Sequence, residues 1–170
     1  MSPASFSPDV QEFLRLLASH SVRYLIVGGE AVIYHGYVRL TGDVDIFFDA
    51  SADNVPRLFA ALVDFWAGNV PGIASAGELG APGAIFMFGR PPNRLDLLNR
   101  IDGVAFDEAW ATRVPTPVRV GDQDVEVSYI GLEALLKNKR AAGRAKDQDD
   151  LAYLEAVQAA KNRTSPRRRS

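Results

Sequence analysis

Two aspartates stand two positions apart within an apolar segment, DVDIFF, at residues 43–48. The segment is typical of a buried β-strand, in which side chains alternate between two faces, so Asp43 and Asp45 are predicted to share one face. Two neighbouring carboxylates repel each other, and burying an unpaired one costs several kcal/mol. A divalent cation would neutralise both charges, and the pair therefore predicts a metal site.

A third carboxylate, Asp96, stands within a second apolar segment, RLDLL, at residues 94–98. Brought beside Asp43 and Asp45, it would complete a set of three carboxylates that can hold two Mg²⁺ or Mn²⁺ ions. Such a pair of ions activates an attacking hydroxyl and stabilises a leaving pyrophosphate. Asp96 is then predicted to lie near the acceptor hydroxyl and to take its proton.

A glycine pair precedes the first two aspartates. Gly28 and Gly29 follow the apolar segment RYLIV and come before a helix-like segment, EAVIYH. Glycine has no Cβ, so the backbone can close around a triphosphate, whose charge is favoured at the start of a helix. Either motif alone is more often structural, because Asp-x-Asp is common in turns and Gly-Gly ends many strands. Their order and spacing favour a nucleotide site.

Several polar residues flank these motifs. Arg39 and Thr41 lie in the segment that leads into the metal strand, where the guanidinium could reach a triphosphate and the hydroxyl could cap the loop. His35 stands beside a glycine at a predicted helix end, which favours a structural role and ranks it behind Asp96 as a base. Asp49 is in phase with the metal aspartates but follows the strand, which favours a cap or turn.

One segment near the C-terminus is densely basic; its cationic residues are Lys137, Lys139, Arg140, Arg144 and Lys146. Lys139 and Lys146 are candidates for phosphate contact, since a positive charge there would offset charge in a transition state. The alternative is that these cations end one helix while nearby aspartates begin the next. Both interpretations of Lys139 stay open, whereas Arg144 and Asp147 are predicted to form an ion pair that joins two helices.

The elements that must position these residues follow from apolar periodicity. The 3.6-residue period and its capping residues predict helices at residues 8–19, 30–35 and 55–65, and two more after Gly131 separated by AAGRAK. β-rich segments predict strands at residues 23–27 and 44–48, a hairpin of 84–88 with 94–98, and a second hairpin around Gly121. Helices mixed with antiparallel pairs predict an α+β fold, with a mixed sheet backed by helices and a C-terminal helical pair.

Composition limits the chemistry. The chain has 170 residues, of which 47% are hydrophobic, which is enough for one domain with a core of its own. It has no cysteine and two histidines, which excludes thiol catalysis and Cys-ligated zinc and disfavours a site of several histidines. Any metal is therefore expected to be held by oxygen, which favours magnesium, calcium or manganese.

Charge is distributed unevenly along the chain. Residues 161–170 carry five basic side chains and no acid, which leaves 14 basic against 21 acidic side chains in residues 1–160. We predict one folded domain at residues 1–160 and a disordered basic tail at residues 161–170. The acidic body disfavours a broad nucleic-acid surface. Neither a signal peptide nor a membrane-spanning segment is predicted, so a cytoplasmic protein without a membrane partner is expected.

The motifs resemble those of a known superfamily. The segment YLIVGGEAVIYHGYVRLTGDVDIFF, residues 24–48, is similar to the signature of polymerase β-type nucleotidyltransferases, a glycine turn and short helix followed by Asp-x-Asp. The fuller pattern, GG-x-A, then HG, then R-x-T-x-D-x-D, resembles the small bacterial branch that includes AbiEii-like toxins. Residues 94–110 and 132–155 also resemble that branch, so the likeness covers most of residues 20–157.

The resemblance implies a fold, an activity and roles for residues. It implies a polymerase β-like nucleotidyltransferase fold in which Gly28 and Gly29 form the phosphate turn and Asp43, Asp45 and Asp96 are the catalytic metal ligands. The implied reaction is in-line attack of an acceptor hydroxyl on the α-phosphate of an NTP, with Mg²⁺ or Mn²⁺ as cofactor. Lys139 matches a position where basic residues of this branch approach the nucleotide.

Several functions are compatible with these residues. For a nucleotidyltransferase, the acceptor could be a tRNA or other RNA end, a protein side chain or a small molecule, and the acidic body slightly disfavours RNA. The protein could instead be a catalytically idle nucleotide-binding or regulatory protein, such as the partner in a toxin-antitoxin pair. A glycosyltransferase would use Asp-x-Asp to hold a nucleotide sugar through manganese, but it leaves the glycine pair unexplained.

Overall fold

The structure is a computed structural model that describes residues 6–90 and 93–164. The helices are α1 (Pro8–Ser19), α2 (Gly28–Tyr34), α3 (Val55–Phe65), α4 (Phe106–Ala111), α5 (Leu132–Ala142) and α6 (Gln148–Thr164). The strands are β1 (Tyr24–Val27), β2 (Asp43–Phe48), β3 (Ile85–Phe88), β4 (Arg94–Leu98), β5 (Val114–Val120) and β6 (Gln123–Tyr129). Two short 3₁₀ helices lie at Ala76–Gly80 and Ala145–Asp147.

The strands form one mixed sheet in the order β3-β4-β2-β1-β6-β5. β2 runs antiparallel to β1 and parallel to β4, and β1 runs parallel to β6. The outer pairs, β3 with β4 and β5 with β6, are antiparallel hairpins. The predicted α+β fold with two hairpins is confirmed, and the order shows that both hairpins join the sheet through their second strand.

Helices cover both faces of the sheet because the central strands are apolar on both sides. Val44, Ile46 and Phe48 of β2 pack into a core with α1 and α3. Phe47 points to the opposite face and packs into a second core with α2, α4, α5 and α6. The predicted C-terminal helical pair is α5 and α6, which contact this second face. The alternation places Asp43 and Asp45 on that same second face.

Helix ends follow the capping residues of the sequence. Ser7 accepts a hydrogen bond from the backbone N–H of Val10 and caps α1, whose first turn contains Pro8. Gly143 adopts a left-handed conformation, with φ of 60°, directly after α5. Because α2 already begins at Gly28, the glycine pair forms the first turn of that helix rather than a loop before it.

Four elements differ from their prediction. Helix α4 and the 3₁₀ helix at Ala76–Gly80 lie where only loops or no element were predicted. Helix α6 continues through Thr164, so the first four residues of the predicted disordered tail are helical, and residues 165–170 lie outside the described part of the chain. Strand β5 begins at Val114 and includes Pro115 and Pro117, which is tolerated because β5 is an edge strand.

Across residues 6–90 and 93–164, every helix is too short or too polar to span a lipid bilayer.

Candidate functional site

Three carboxylates converge on one face at the centre of the sheet. Asp45 on β2 and Asp96 on β4 are directly paired across adjacent parallel strands, and Asp43 lies two residues earlier on β2. One oxygen of each carboxylate lies within 4.8 Å of the others. The structure therefore brings together the three aspartates that the sequence singled out, at the start of both strands.

Arg94 contacts two of these carboxylates, an interaction that the sequence analysis missed. Its Nη2 donates hydrogen bonds to Asp43 Oδ2 at 2.9 Å and to Asp96 Oδ2 at 3.0 Å. The strand register explains the contact, because Arg94 pairs with Asp43 across the two strands and precedes Asp96 by two residues. The guanidinium offsets part of the negative charge and orients Asp43 and Asp96 towards each other.

The pKa of Asp45 shows the electrostatic cost of placing three carboxylates together. Burial raises the pKa of Asp45 to about 7, and the nearby charges of Asp96 and Asp43 add to this effect. Arg94 opposes the shift but does not cancel it. The carboxylate cluster thus needs more positive charge than Arg94 supplies before all three groups can be ionised at neutral pH.

This donor set fits a divalent cation. All three ligands are carboxylates at mutual distances that a single ion or a pair of ions can bridge, and neither sulfur nor imidazole is among them. Hard oxygen donors of this kind suit Mg²⁺ or Mn²⁺ rather than zinc. A bound cation would also offset the burial and the repulsion that together raise the pKa of Asp45.

The glycine turn packs directly against the carboxylates. Gly28 has a φ of +64°, and a Cβ at this position would lie 2.2 Å from Asp45 Oδ2. A Cβ on Gly29 would lie 2.7 Å from the hydroxyl oxygen of Thr41. That hydroxyl donates a hydrogen bond to the carbonyl oxygen of Asp43 at 3.3 Å, so Thr41 caps the entry to β2. The positive φ and the contact with Asp45 together favour glycine at position 28, whereas a Cβ at position 29 would require the Thr41 side chain to move.

A cleft on this face has two halves that share Asp43 and Asp45, and also Gly28, Lys139, Arg144 and Lys146, as lining residues. The half on the side of the glycine turn has a volume of about 310 Å³, and its lining includes Gly28, Gly29, Arg39, Thr41, Lys139 and Lys146. The half on the side of Asp96 has a volume of about 370 Å³, and its lining includes Ile85, Arg94, Asp96, Leu98, Arg100 and Asn138. All of the site residues proposed from the sequence therefore line one cleft.

Lys139 belongs both to this cleft and to a buried ionic network. Its Nζ contacts Asp147 Oδ1 at 2.9 Å and Asp150 Oδ2 at 3.2 Å. The predicted ion pair of Arg144 with Asp147 is confirmed, with an Nε to Oδ2 distance of 2.8 Å, and it lies in the connection between α5 and α6. The two interpretations of Lys139 are thus compatible, because the residue lines the cleft while it is paired.

The two other lining cations have different surroundings. Arg39 is half-buried and forms an ion pair with Asp150. Lys146 is exposed, and among the described residues it has no ion-pair partner. Lys146 is therefore the cation of this half of the cleft that is free to meet a ligand without giving up a carboxylate.

His35 and Asp49 have structural roles. His35 is buried, its Nε2 lies 2.9 Å from the carbonyl oxygen of Ile130, and burial lowers its pKa. Asp49 lies at the opposite end of β2 from the carboxylate cluster, where it accepts hydrogen bonds from Ser51 and forms an ion pair with Arg23. Neither residue lines the cleft.

Comparisons with known proteins show the fold. No protein-family model matches this sequence, and a comparison with curated proteins found no match. Among solved structures, an antigenic nucleotidyltransferase-like protein from Paracoccidioides brasiliensis aligns with a TM-score of 0.50 and 18% identity, over 91% of this chain and 78% of that chain. The structure of ANT(2″)-Ia in complex with adenylyl-2″-tobramycin aligns with a TM-score of 0.48 and 16% identity, over 92% and 97% of the two chains. This chain thus has a nucleotidyltransferase-like fold.

Proposed function

We propose that this protein is a metal-dependent nucleotidyltransferase that moves NMP from an NTP to the hydroxyl of an acceptor. The observation that carries the proposal is the convergence of Asp43, Asp45 and Asp96 at the junction of the two halves of the cleft. A reaction between two bound substrates needs such a junction, with the metal ligands between them. The nucleotidyltransferase-like fold is consistent with this reaction.

The half of the cleft beside the glycine turn is assigned to the NTP. Gly28 and Gly29 let the triphosphate approach the backbone, and Thr41 holds the entry to the metal strand. Arg39, Lys139 and Lys146 supply positive charge along the same half. A divalent ion held by Asp43, Asp45 and Asp96, Mg²⁺ or Mn²⁺, would stabilise charge on the phosphates and on the leaving pyrophosphate.

The half of the cleft beside Asp96 is assigned to the acceptor. The acceptor hydroxyl oxygen attacks the α-phosphorus, the bond from that phosphorus to the oxygen bridging to the β-phosphate breaks, and pyrophosphate leaves. Asp96 accepts the hydroxyl proton, because among the three clustered carboxylates it is the one that lines this half and not the other. The acceptor is an RNA end such as tRNA, a protein side chain or a small molecule.

Residues 20–157 resemble the AbiEii-like branch, and on that resemblance we assign the chain to the branch. A cognate toxin or antitoxin partner is part of the same proposal. The catalytic unit is residues 1–160, which include every proposed site residue.

Incubation with α-labelled NTPs tests the proposal. Wild type and the single variants Asp43→Ala and Asp45→Ala are incubated with each labelled NTP, Mg²⁺ or Mn²⁺, and a host extract, and labelled RNA, protein and small molecules are then separated. We expect label in one fraction with wild type and none with either variant, because each variant removes a metal ligand. Circular dichroism should show the same folded content in all three proteins.

The opposite outcomes are also informative. Undiminished labelling by either variant would contradict the metal assignment. If no fraction is labelled although the wild type binds nucleotide, the protein is the catalytically idle nucleotide binder, and its partner becomes the question.

A further inference from the structure

Asp150 is a buried carboxylate that contacts two cations from distant parts of the chain. It lies near the start of α6, and its side chain is 4% exposed. Its Oδ2 lies 3.0 Å from Nη2 of Arg39 and 3.2 Å from Nζ of Lys139. Arg39 belongs to the segment before β2 and Lys139 belongs to α5, so one carboxylate connects the two walls of the nucleotide half of the cleft.

The contact with Asp150 holds a segment that has few other attachments. Residues 38–42 form neither helix nor strand, and the neighbours of Arg39, Val38 and Leu40, are 94% and 95% exposed. Asp150 is the carboxylate that pairs with Arg39. Arg39 is therefore fixed through Asp150, while its backbone neighbours contribute almost no packing.

Lys139 depends on Asp150 in a different way. Its side chain is 5% exposed, and a buried ammonium group is stable only when it is paired. Asp147 also contacts Lys139, but Asp147 is shared with Arg144. Asp150 thus shares the neutralisation of Lys139 with Asp147 and, through its second partner, joins Lys139 to Arg39.

We infer that Asp150 is a positioning residue that holds Arg39 and Lys139 in place for the triphosphate. The inference rests on the proposed function to the extent that the ligand is an NTP. Asp150 acts through the two cations, since a carboxylate repels phosphate. Preorganised cations bind phosphate more tightly than mobile ones because they lose less conformational freedom on binding.

The effect of Asp150→Asn on the Kd for ATP distinguishes positioning from simple electrostatics, because the two predict changes of opposite sign. Removal of a negative charge beside the phosphates, taken alone, predicts tighter binding of ATP. Loss of positioning predicts weaker binding, by about tenfold or more if Asp150 behaves like other residues that orient a ligand-binding group. The measurement is the Kd for ATP with Mg²⁺ and for AMP, by titration calorimetry on the full chain.

The comparison of ATP with AMP distinguishes positioning from general loosening. We expect Asp150→Asn to weaken ATP more than AMP, because the cations face the phosphates added in the triphosphate. Asp49→Asn is the matched control, since Asp49 is a buried carboxylate paired with an arginine at the other end of β2. It should change stability but leave the ratio of ATP to AMP affinity as in wild type. Asp150→Glu, which restores the charge, should recover part of the ATP affinity.

Several outcomes would overturn the inference. These are unchanged or tighter ATP binding by Asp150→Asn, equal losses for ATP and AMP, or the same loss of ATP affinity in Asp49→Asn. If Asp150→Asn does not fold, Asp150→Glu takes its place: the longer side chain displaces the carboxylate and must weaken ATP relative to AMP, and a wild-type ratio of the two affinities would overturn the inference. The measurement is of binding, so it does not depend on NMP transfer. If wild type binds ATP but transfers no label, the proposed function is contradicted, and the Kd values of Asp150→Asn still decide this inference.

Discussion

The register between β2 and β4 decides which residues meet at the cleft. Asp45 faces Asp96 and Asp43 faces Arg94, so three carboxylates and one guanidinium share one side of two parallel strands. A shift of one residue would turn Asp96 into the core on the opposite face and leave Asp43 and Asp45 without a third ligand. The apolar residues Leu95 and Leu97, which are buried in that core, oppose such a shift.

Asp96→Asn tests the assignment of the base. The amide keeps the size of the side chain but cannot accept a proton from the acceptor hydroxyl, so NMP transfer should fall by about a hundredfold or more. Binding of ATP with Mg²⁺ should persist, because Asp43 and Asp45 remain. Single-turnover transfer and equilibrium binding measure the two effects separately. Equal transfer rates for Asp96→Asn and wild type would show that another group activates the acceptor.

The raised pKa of Asp45 predicts how stability depends on pH without metal. Its pKa is about 7 in the folded protein and near 3.8 when unfolded, so the folded state binds more protons between these values. The free energy of unfolding should therefore fall as pH rises from about 4 to 7, by on the order of 2–4 kcal/mol. Urea unfolding in EDTA at several pH values measures this slope.

Asp45→Asn is the control for that slope, because it removes the titrating group and keeps the others. As pH rises, the unfolding free energy of Asp45→Asn should increase relative to that of wild type. A difference that is constant from pH 5 to pH 8 would contradict the raised pKa.

Individual side chains show what a sequence pattern can and cannot reveal. The aspartates were predictable because an acid in an apolar strand is costly and therefore conspicuous. Arg94 and Asp150 were missed because what gives them a role is a second partner, Asp43 or Arg39, that lies 51 or 111 residues away, and no local pattern records such pairing. Arg94 also lies at a strand start, where a charged residue is unremarkable.

At the scale of elements, the turn from β1 into α2 sets the distance between the backbone and the carboxylates. β1 ends at Val27 and α2 begins at Gly28, with no intervening residue. Such an abrupt change of direction requires a positive φ at Gly28, and the missing Cβ provides the space in which Asp45 lies. The element boundary and the metal ligand thus depend on the same glycine.

Gly28→Ala tests this dependence. The substitution combines a left-handed conformation, which costs a residue with a Cβ about 1–2 kcal/mol, with a collision against Asp45. We expect lower stability and at least a tenfold loss of Mg²⁺ affinity. Displacement of Asp45 needs to reduce the binding free energy of Mg²⁺ by only about 1.4 kcal/mol to give that factor. Thermal unfolding and metal titration measure the two effects.

Gly121→Ala is the matched control for the backbone effect. Gly121 has a φ of +61° in the turn between β5 and β6, and a Cβ there would meet nothing within 4 Å. It should lose stability through backbone strain alone and keep the Mg²⁺ affinity of wild type. Equal metal affinities in the two variants would show that Gly28 is only a turn residue.

The four long helices were predicted, whereas α4 and the 3₁₀ helix at Ala76–Gly80 were not. α1, α3, α5 and α6 have two or more turns of apolar periodicity, and each was predicted. α4 has six residues and the 3₁₀ helix at Ala76–Gly80 has five, too few for a period to be visible. Their formation depends on packing, as with Ala109 of α4, which is buried in the second core.

At the scale of the whole molecule, the nucleotide half of the cleft is built from two segments far apart in the sequence. Residues 28–45 form the wall that carries the glycine turn and two metal ligands, and residues 139–150 form the wall that carries the buried ionic network. The strand order brings the two segments together. β1 and β2 are adjacent at the centre of the sheet, and α5 follows β6, which lies beside β1. The hairpins were predictable from short connections, whereas the pairing of β2 with β4 and of β1 with β6 left no local signal.

A nucleotide that bridges these two walls should protect both of them from amide hydrogen exchange. Addition of ATP and Mg²⁺ is expected to slow exchange in residues 28–45 and 139–150, because opening of the cleft would then require release of the ligand. At a ligand concentration of about 100 Kd, exchange through such opening should slow by roughly a hundredfold. The β5–β6 hairpin, at the far edge of the sheet, provides the internal reference and should exchange as before. Exchange measured by mass spectrometry on wild type and Asp45→Ala gives the comparison, since the variant lacks a metal ligand and should show little protection. Protection confined to one wall would place the nucleotide outside the cleft, because a triphosphate beside Gly28 and Gly29 cannot avoid the cations of the opposite wall.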